Sequence, residues 1–188
     1  MYQAINFDSL QGLNGFSDKT LETHFKLYAG YVANTNKLAS QLSALETGSP
    51  EYAELKRRFG WEFDGMRLHE YYFEALTKTP TPLATDSSLY KKITKQFGDF
   101  ASWQKDFIAT AMTRGIGWTI LYYDKKADQL FNVWINEHDV GHLAGCAIIL
   151  NLDVFEHAFM LDYGTDRAKY IDVFFQAINW SEVKNRLE

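Results

Sequence analysis

Cysteine is almost absent from this 188-residue chain, in which Cys146 is the single example. An intrachain disulfide is therefore excluded, and a reducing compartment, the cytoplasm, is expected. Residues 1–19 show no basic segment followed by an apolar one, so no secretory signal peptide is expected. No apolar run approaches the roughly 20 residues that a membrane-spanning helix needs, so we expect no membrane partner.

Long runs of positive charge are missing as well. The 19 lysines and arginines are outnumbered by 24 aspartates and glutamates, which gives a formal net charge of −5. We therefore do not expect nucleic acid or a membrane surface as a partner. Apolar side chains, in contrast, make up 46% of the residues. This fraction excludes a disordered chain and is enough for a substantial core.

The N-terminal part of the chain follows a helical period. Residues 18–45 are predicted to form one long helix with Ser17 as its N-cap, and residues 52–76 form a second one. An interruption of the second helix near Gly60 is left open. The segment 77–88 contains two of the three prolines and several serines and threonines, so it is the best candidate for a linker.

The period changes in the C-terminal part. Two helices are predicted first, and then β-branched and aromatic residues indicate a strand, a turn, a strand and a further buried strand before two closing helices. The predicted fold class is α+β, with an N-terminal helical hairpin at residues 1–84. Residues 85–188 form a mixed domain, in which helices surround a small three-stranded antiparallel sheet. The predicted elements are helices 88–97, 101–114, 166–179 and 180–187 and strands 117–124, 130–136 and 145–155.

Three of the five histidines stand in patterns that could place them around a metal ion. His24 shares a helix face with Tyr31, His69 is flanked by aromatic residues, and His157 follows Asp153 by four residues. Three imidazole nitrogens and one carboxylate oxygen suit iron, manganese or zinc, and the lack of nearby cysteines argues against structural zinc. The alternatives are histidines satisfied in the core and a buried Asp–His pair without a metal. Spacing alone does not bring the three segments together.

Four segments resemble signatures of the iron and manganese superoxide dismutases. LDVFEHAFMLDY is similar to the family's D-V-W-E-H-A-Y, and FGDFASWQKDF to its F-G-S-F-x-x-F-K-x-x-F. GIGWTILYYD is similar to G-S-G-W-x-W-L, and YIDVFFQAINW to Y-L-x-x-F-W-x-x-x-N-W. The two N-terminal helices match less closely, and the resemblance runs from about residue 16 to the end.

The resemblance implies a metal ion held by His24, His69, Asp153 and His157, between the two parts of the fold. It implies one iron or manganese ion per chain, which would cycle between the +3 and +2 states. The implied reaction disproportionates superoxide, the substrate, to dioxygen and hydrogen peroxide. It further implies a homodimer in which Glu156 reaches His157 of the partner subunit and braces it.

The resemblance also assigns residues around the ion. Tyr31 falls on the family's second-sphere tyrosine, and Trp118 falls on a tryptophan of its cavity wall. Phe73 and Phe155 stand where further cavity tryptophans are usual. The family's glutamine, which bonds to metal-bound solvent, has no counterpart here.

Two positions are candidates for the function of that glutamine. Gly65, four residues before His69, has no side chain to supply the bond, whereas His138 falls on the hairpin position, or Glu137 if the alignment slips by one. The alternative for His138 is a solvated loop residue. His142 has no counterpart among the family's functional residues.

Other positions also depart from the family's pattern. The gap from His24 to Tyr31 is seven residues where eight is usual, and a regular helix would still keep both on one face. Leu27 or Tyr28 stands in place of a gateway histidine, and Met160 replaces its tyrosine partner. These losses keep a second function open: a metal-binding protein of the same fold with weak or different redox activity. A purely structural helical module is the third alternative.

Overall fold

Two long helices joined by a short loop form the N-terminal part of the structure, a computed structural model that describes residues 1–187. Helix α1 spans Asp18–Ala44 and helix α2 spans Pro50–Glu74. The side chains of Ser17 and Ser49 cap them, each accepting a hydrogen bond from the backbone N–H three residues further on. The predicted hairpin is confirmed, and α2 continues through Gly60 without an interruption.

Helix α1 is a regular α-helix over all of its 27 residues. Its buried face repeats at helical spacing, so His24 and Tyr31, two turns apart, lie on one stripe. The shorter gap between these two residues therefore needs no bulge, as predicted. The buried residues of α1 are Thr20, Leu21, His24, Tyr28, Tyr31, Val32, Thr35 and Leu38.

The predicted linker has no helix between residues 75 and 87, and the C-terminal elements follow it. An isolated bridge between Leu76 and Ile178 joins the start of this segment to the C-terminal part of the chain. The helices are α3 (Ser88–Phe97), α4 (Phe100–Ala111), α5 (Met160–Tyr163), α6 (Arg167–Ala177) and α7 (Trp180–Val183). The strands are β1 (Trp118–Asp124), β2 (Gln129–Ile135) and β3 (Ala147–Asp153).

The three strands form one antiparallel sheet in the order β2–β1–β3. Trp118, at the start of β1, is paired with Asp153, at the end of β3. This register places the Trp118 side chain beside the Asp153 carboxylate at one end of the strands. That end of the sheet lies near the helical hairpin, where α2 packs on β3. The predicted α+β fold class with a three-stranded antiparallel sheet is confirmed.

Short helical turns lie before α1, after β3 and after α7. The segments Asp8–Leu10, Glu156–Ala158 and Lys184–Leu187 are 3₁₀ turns. The first two and α5 were not predicted, whereas Lys184–Leu187 lies within the closing helix predicted at 180–187. Within residues 1–187, no helix combines the length and the apolar character needed to cross a bilayer.

Candidate metal centre

Four side chains from distant parts of the chain meet between the helical hairpin and the sheet. His24 comes from α1, His69 from α2, Asp153 from the end of β3 and His157 from the 3₁₀ turn that follows. One ligand atom from each lies within 4.8 Å of the other three. The Oδ2 atom of Asp153 is 3.2 Å from Nε2 of His24, 3.0 Å from that of His157 and 3.6 Å from that of His69. Three imidazole nitrogens therefore point at one carboxylate oxygen.

His69 is oriented by its own helix. Its Nδ1 lies 2.5 Å from the carbonyl oxygen of Gly65, one turn earlier, and must donate to it because a carbonyl only accepts. The Nε2 atom is then unprotonated, fully buried and, among the described residues, without a hydrogen-bond partner. A buried nitrogen without a partner is costly unless something else binds its lone pair. This orphaned atom is the clearest sign that the site fits a metal ion.

Asp153 is fixed from the other side. Its Oδ1 accepts a hydrogen bond of 2.8 Å from the backbone N–H of Phe155, which leaves Oδ2 to face the histidines. Its backbone oxygen accepts from the hydroxyl of Tyr170 at 2.8 Å, and Tyr72 lies 3.0 Å from that hydroxyl and donates to it. Sequence reasoning missed both tyrosines, because only the fold brings them to Asp153.

The protonation states favour ligation. Burial lowers the pKa of His24 and lowers that of His69 far more, so both rings are neutral and keep a free lone pair. Burial works against a charged Asp153, yet the charge and hydrogen bonds of His157 and His24 hold the pKa of Asp153 well below its usual range. Burial also opposes a charged His157, but the carboxylate outweighs it and raises the pKa of His157. A bound cation would take the place of that proton.

The donor set can hold one first-row metal ion. Three imidazoles and one carboxylate are ligands that iron and manganese accept, and no thiolate belongs to the cluster. The set is almost closed to water, since His24, His69 and Asp153 are at most 1% exposed. Only the His157 side chain, at 25%, reaches the surface of the single chain.

Aromatic rings enclose the cluster. Trp118 meets the His69 ring edge to face, with centroids 5.1 Å apart, and Phe73 lies 4.8 Å from His24. Phe155 stacks on His157 at 5.4 Å. The three predicted wall residues therefore all contact a histidine of the cluster.

A polar chain runs along the outer side of the cluster. The indole N–H of Trp118 donates to Nδ1 of His138 at 3.0 Å, and Nε2 of His138 lies 2.8 Å from the hydroxyl of Tyr31. Burial lowers the pKa of His138 to about 4, so its ring is neutral. A neutral ring that accepts at Nδ1 carries its proton on Nε2 and donates to Tyr31. The hydroxyl proton of Tyr31 is then free to be donated elsewhere.

The structure distinguishes between His138 and Glu137. His138 is fully buried, so the alternative of a solvated loop residue is wrong. Glu137 instead accepts a hydrogen bond of 3.1 Å from the indole of Trp61. Both ring nitrogens of His138 have protein partners, and Tyr31 stacks on His69 with centroids 5.2 Å apart. His138 is therefore the one of the two that contacts Tyr31.

The positions that depart from the family's pattern have other contacts. The hydroxyl of Tyr28 accepts from the backbone N–H of Ile5 and donates to Glu70, at 3.0 and 2.9 Å. Met160 is 43% exposed. A Cβ added to Gly65 would lie 2.7 Å from the ring of Tyr31, so this residue must be small for Tyr31 to pack there.

Comparisons with known proteins agree with this geometry. The family model for the C-terminal domain of iron/manganese superoxide dismutases matches residues 85–186. The chain is 34% identical to the iron superoxide dismutase of Aquifex pyrophilus over 187 residues, 95% of this chain and 87% of the relative. It is 33% identical to that of Cupriavidus metallidurans, over 93% and 89% of the two chains. A manganese superoxide dismutase of Haloferax volcanii is also 33% identical, over 89% and 82%.

Proposed function

Because the chain belongs to the iron/manganese superoxide dismutase family, we propose that it disproportionates superoxide to dioxygen and hydrogen peroxide with one bound iron or manganese ion. The observation that carries this proposal is the buried convergence of three histidine nitrogens on one carboxylate, with a lone pair of His69 left unpartnered. When bound, the ion supplies one-electron redox chemistry between its +3 and +2 states.

The four clustered residues are proposed as the ligands. His24 and His69 contribute neutral nitrogens from rigid helices, and Asp153 contributes the one negative charge. His157 contributes the third nitrogen from the side that faces the surface. A single carboxylate leaves the charge of a trivalent ion largely uncompensated, which favours the approach of a small anion.

Tyr31 and His138 are proposed as the catalytic residues of the protein itself. Peroxide formation consumes two protons, and the hydroxyl of Tyr31 holds a proton that no contact with His138 uses. Burial raises the pKa of Tyr31, so the hydroxyl stays protonated over the physiological range. His138 holds the hydroxyl in place, while Trp118 fixes the tautomer of His138. The predicted direct bond from His138 to solvent on the ion would require His138 to give up one of its two bonds, to Trp118 or to Tyr31.

A homodimer is proposed on the side of His157. Glu156 is exposed in the single chain, and the neighbouring Met160 and Leu161 are 43% and 51% exposed. Apolar side chains next to a carboxylate are typical of a surface that a second copy covers. The carboxylate of Glu156 would then accept from the free ring nitrogen of His157 of the partner subunit.

The domain division and the location predicted from the sequence are also proposed. The division into residues 1–84 and 85–188 is supported by the ligands, two of which come from each part. A cytoplasmic location is supported by the single cysteine.

The second candidate function is a metal-binding protein of this fold with weak or different redox activity. Tyr28 and Met160 favour it, because Tyr28 is committed to internal hydrogen bonds and Met160 has no group that holds a proton. The entrance to the site would then lack a gateway that supplies protons.

Separate loading with iron and with manganese tests the proposal. The metal content is measured by emission spectroscopy, and superoxide consumption is followed on each sample, with metal-free protein as the control. We expect close to one ion per chain and rapid consumption with at least one metal. If the iron-loaded and the manganese-loaded samples each hold a full complement of metal but consume superoxide no faster than the control, the second candidate is supported instead.

A further inference from the structure

We propose that His142 is a positioning residue that holds His138, and through it Tyr31, in the arrangement used for proton supply. The proposal rests on the proposed function and adds to it a residue outside the layer around the ion. His142 has no counterpart in the family's pattern, and neither the ligand cluster nor its aromatic wall uses it.

The contacts of His142 are short and have one consistent direction. Its Nε2 lies 2.6 Å from the backbone oxygen of His138, and its Nδ1 lies 2.6 Å from the hydroxyl of Tyr122. Because the carbonyl only accepts, Nε2 carries the proton. In a neutral ring Nδ1 is then the acceptor, and the hydroxyl of Tyr122 donates to it.

The segment that carries His138 needs such support. Residues 136–146 form bends and turns without a helix or strand. Gly141 turns the segment back with φ +86, and a Cβ there would lie 2.9 Å from the side chain of Ile135. This turn brings the ring of His142 within hydrogen-bond distance of the His138 backbone. His138, whose ring is already oriented by hydrogen bonds, is therefore held by a hydrogen bond at its backbone oxygen as well.

Both supports of the loop start from the same strand. Trp118 and Tyr122 are four residues apart on β1, and side chains at even spacing point to one face of a strand. Trp118 binds the ring of His138, and Tyr122 binds His142, which binds the His138 backbone. The central strand of the sheet therefore fixes His138 at two points, and the ring is aligned with the hydroxyl of Tyr31.

The test is a double-mutant cycle on the metal-loaded enzyme. We expect His142→Ala to lower superoxide turnover about tenfold, the lower end of the effect of losing a supporting hydrogen-bond partner, with unchanged metal content. In the background of His138→Ala the same change is expected to have no further effect, because His142 acts only through His138. His142→Gln, whose amide can still donate to the His138 carbonyl, is expected to recover most of the rate.

Two other variants guard against a general loss of structure. Tyr122→Phe removes only the hydroxyl that holds Nδ1, and we expect a loss of about threefold, the effect of one hydrogen bond. Val140→Ala, in the same loop but with a 46% exposed side chain, is the matched control and is expected to keep the wild-type rate.

Two kinetic results would overturn the proposal: a wild-type rate for His142→Ala, or an equal tenfold loss with and without His138. Crystal structures separate its failure from that of the proposed function. His138 still bonded to Tyr31 in His142→Ala would overturn the positioning role. A displaced His138, together with wild-type protein that does not consume superoxide, would overturn the proposed function and leave the placement of His138 standing.

Discussion

The two halves of the metal centre are built by different means. His24 and His69 project from within long helices and are 1% and 0% exposed, so ordinary helix packing fixes them. Asp153 and His157 lie where a strand ends and a one-turn segment begins, and the His157 side chain is 25% exposed. The helical half is a preformed socket, whereas the other half depends on hydrogen bonds, on the ion and, by our proposal, on a second subunit.

The largest expected effect comes from Asp153→Asn, which keeps the shape of the group but removes its charge. Three imidazoles converge on this oxygen, so we expect the affinity for iron or manganese to fall by more than the roughly 100-fold that loss of a supporting partner can cost. Metal content after dialysis against a chelator measures it. Asp172→Asn, an exposed carboxylate on α6, is the control. Normal metal content in Asp153→Asn would show that the three histidines hold the ion without the carboxylate.

Glu156→Ala tests the more exposed half of the metal centre, to which Asp153 and His157 belong. If the carboxylate braces His157 of the partner subunit, its loss leaves that histidine less fixed. We expect dissociation to monomers and a metal release rate roughly 10-fold higher, the lower end of such effects. Light scattering and release to a chelator measure the two changes, with the exposed Glu46→Ala as the control. An unchanged dimer with an unchanged metal release rate would contradict the proposal that Glu156 braces His157 of the partner subunit.

Tyr31→Phe tests whether the helical half supplies protons as well as metal ligands. Its ring packing is kept and only the hydroxyl next to His138 is lost. We expect full metal content and about a tenfold lower turnover, at the low end of what a group that transfers protons contributes. Tyr52→Phe, near the tip of the hairpin, is the control. Equal turnover rates for the two variants would show that the hydroxyl of Tyr31 makes no contribution to turnover and that Tyr31 is only structural.

The pH dependence of stability tests the buried state of His138. Its pKa is about 4 in the fold and about 6.5 in the unfolded chain, so between these values the unfolded state binds a proton that the folded state does not. Stability of the metal-free protein should therefore fall as the pH drops from 6.5 to 4. His138→Gln should flatten this dependence by up to about 3 kcal/mol. Urea unfolding at several pH values measures it, and parallel curves would contradict a neutral, buried ring.

The smallest effect is expected for Tyr28→Phe. The hydroxyl of Tyr28 ties the N-terminal segment to α2 through Ile5 and Glu70. Its loss should cost about 1–2 kcal/mol of unfolding free energy, because Glu70 is buried and keeps only Arg67. Metal content and turnover should not change. A lower turnover would mean that Tyr28, although bonded inside, still acts as part of the entrance.

The sequence was most informative where structure is local. Ser17 and the spacing from Leu21 to Leu38 predicted α1 to within one residue of its end, because caps and helical periods are short-range signals. The segments Glu156–Ala158 and Met160–Tyr163 were missed, because three or four residues contain no complete period. The interruption considered at Gly60 does not occur, and α2 is one continuous helix from Pro50 to Glu74.

The site could be predicted only in part. His24 and Asp153 are 129 residues apart, and no local pattern joins them, so family resemblance had to group the four candidates. The resemblance also indicated His138, although its bonds to Trp118 and Tyr31 follow from the fold. No sequence pattern indicated His142, because its proposed positioning role depends on a turn that brings its ring within hydrogen-bond distance of the His138 backbone oxygen.

The separation of the ligands along the chain also sets when the site can exist during synthesis. Asp153 follows His69 by 84 positions, and ribosomes add about 5–20 residues per second, so the helical pair is made roughly 4–17 s before its carboxylate. During that interval the nascent hairpin has two imidazoles and no anionic ligand for an ion. The complete set of candidate ligands therefore exists only late in synthesis, after the last strand is translated.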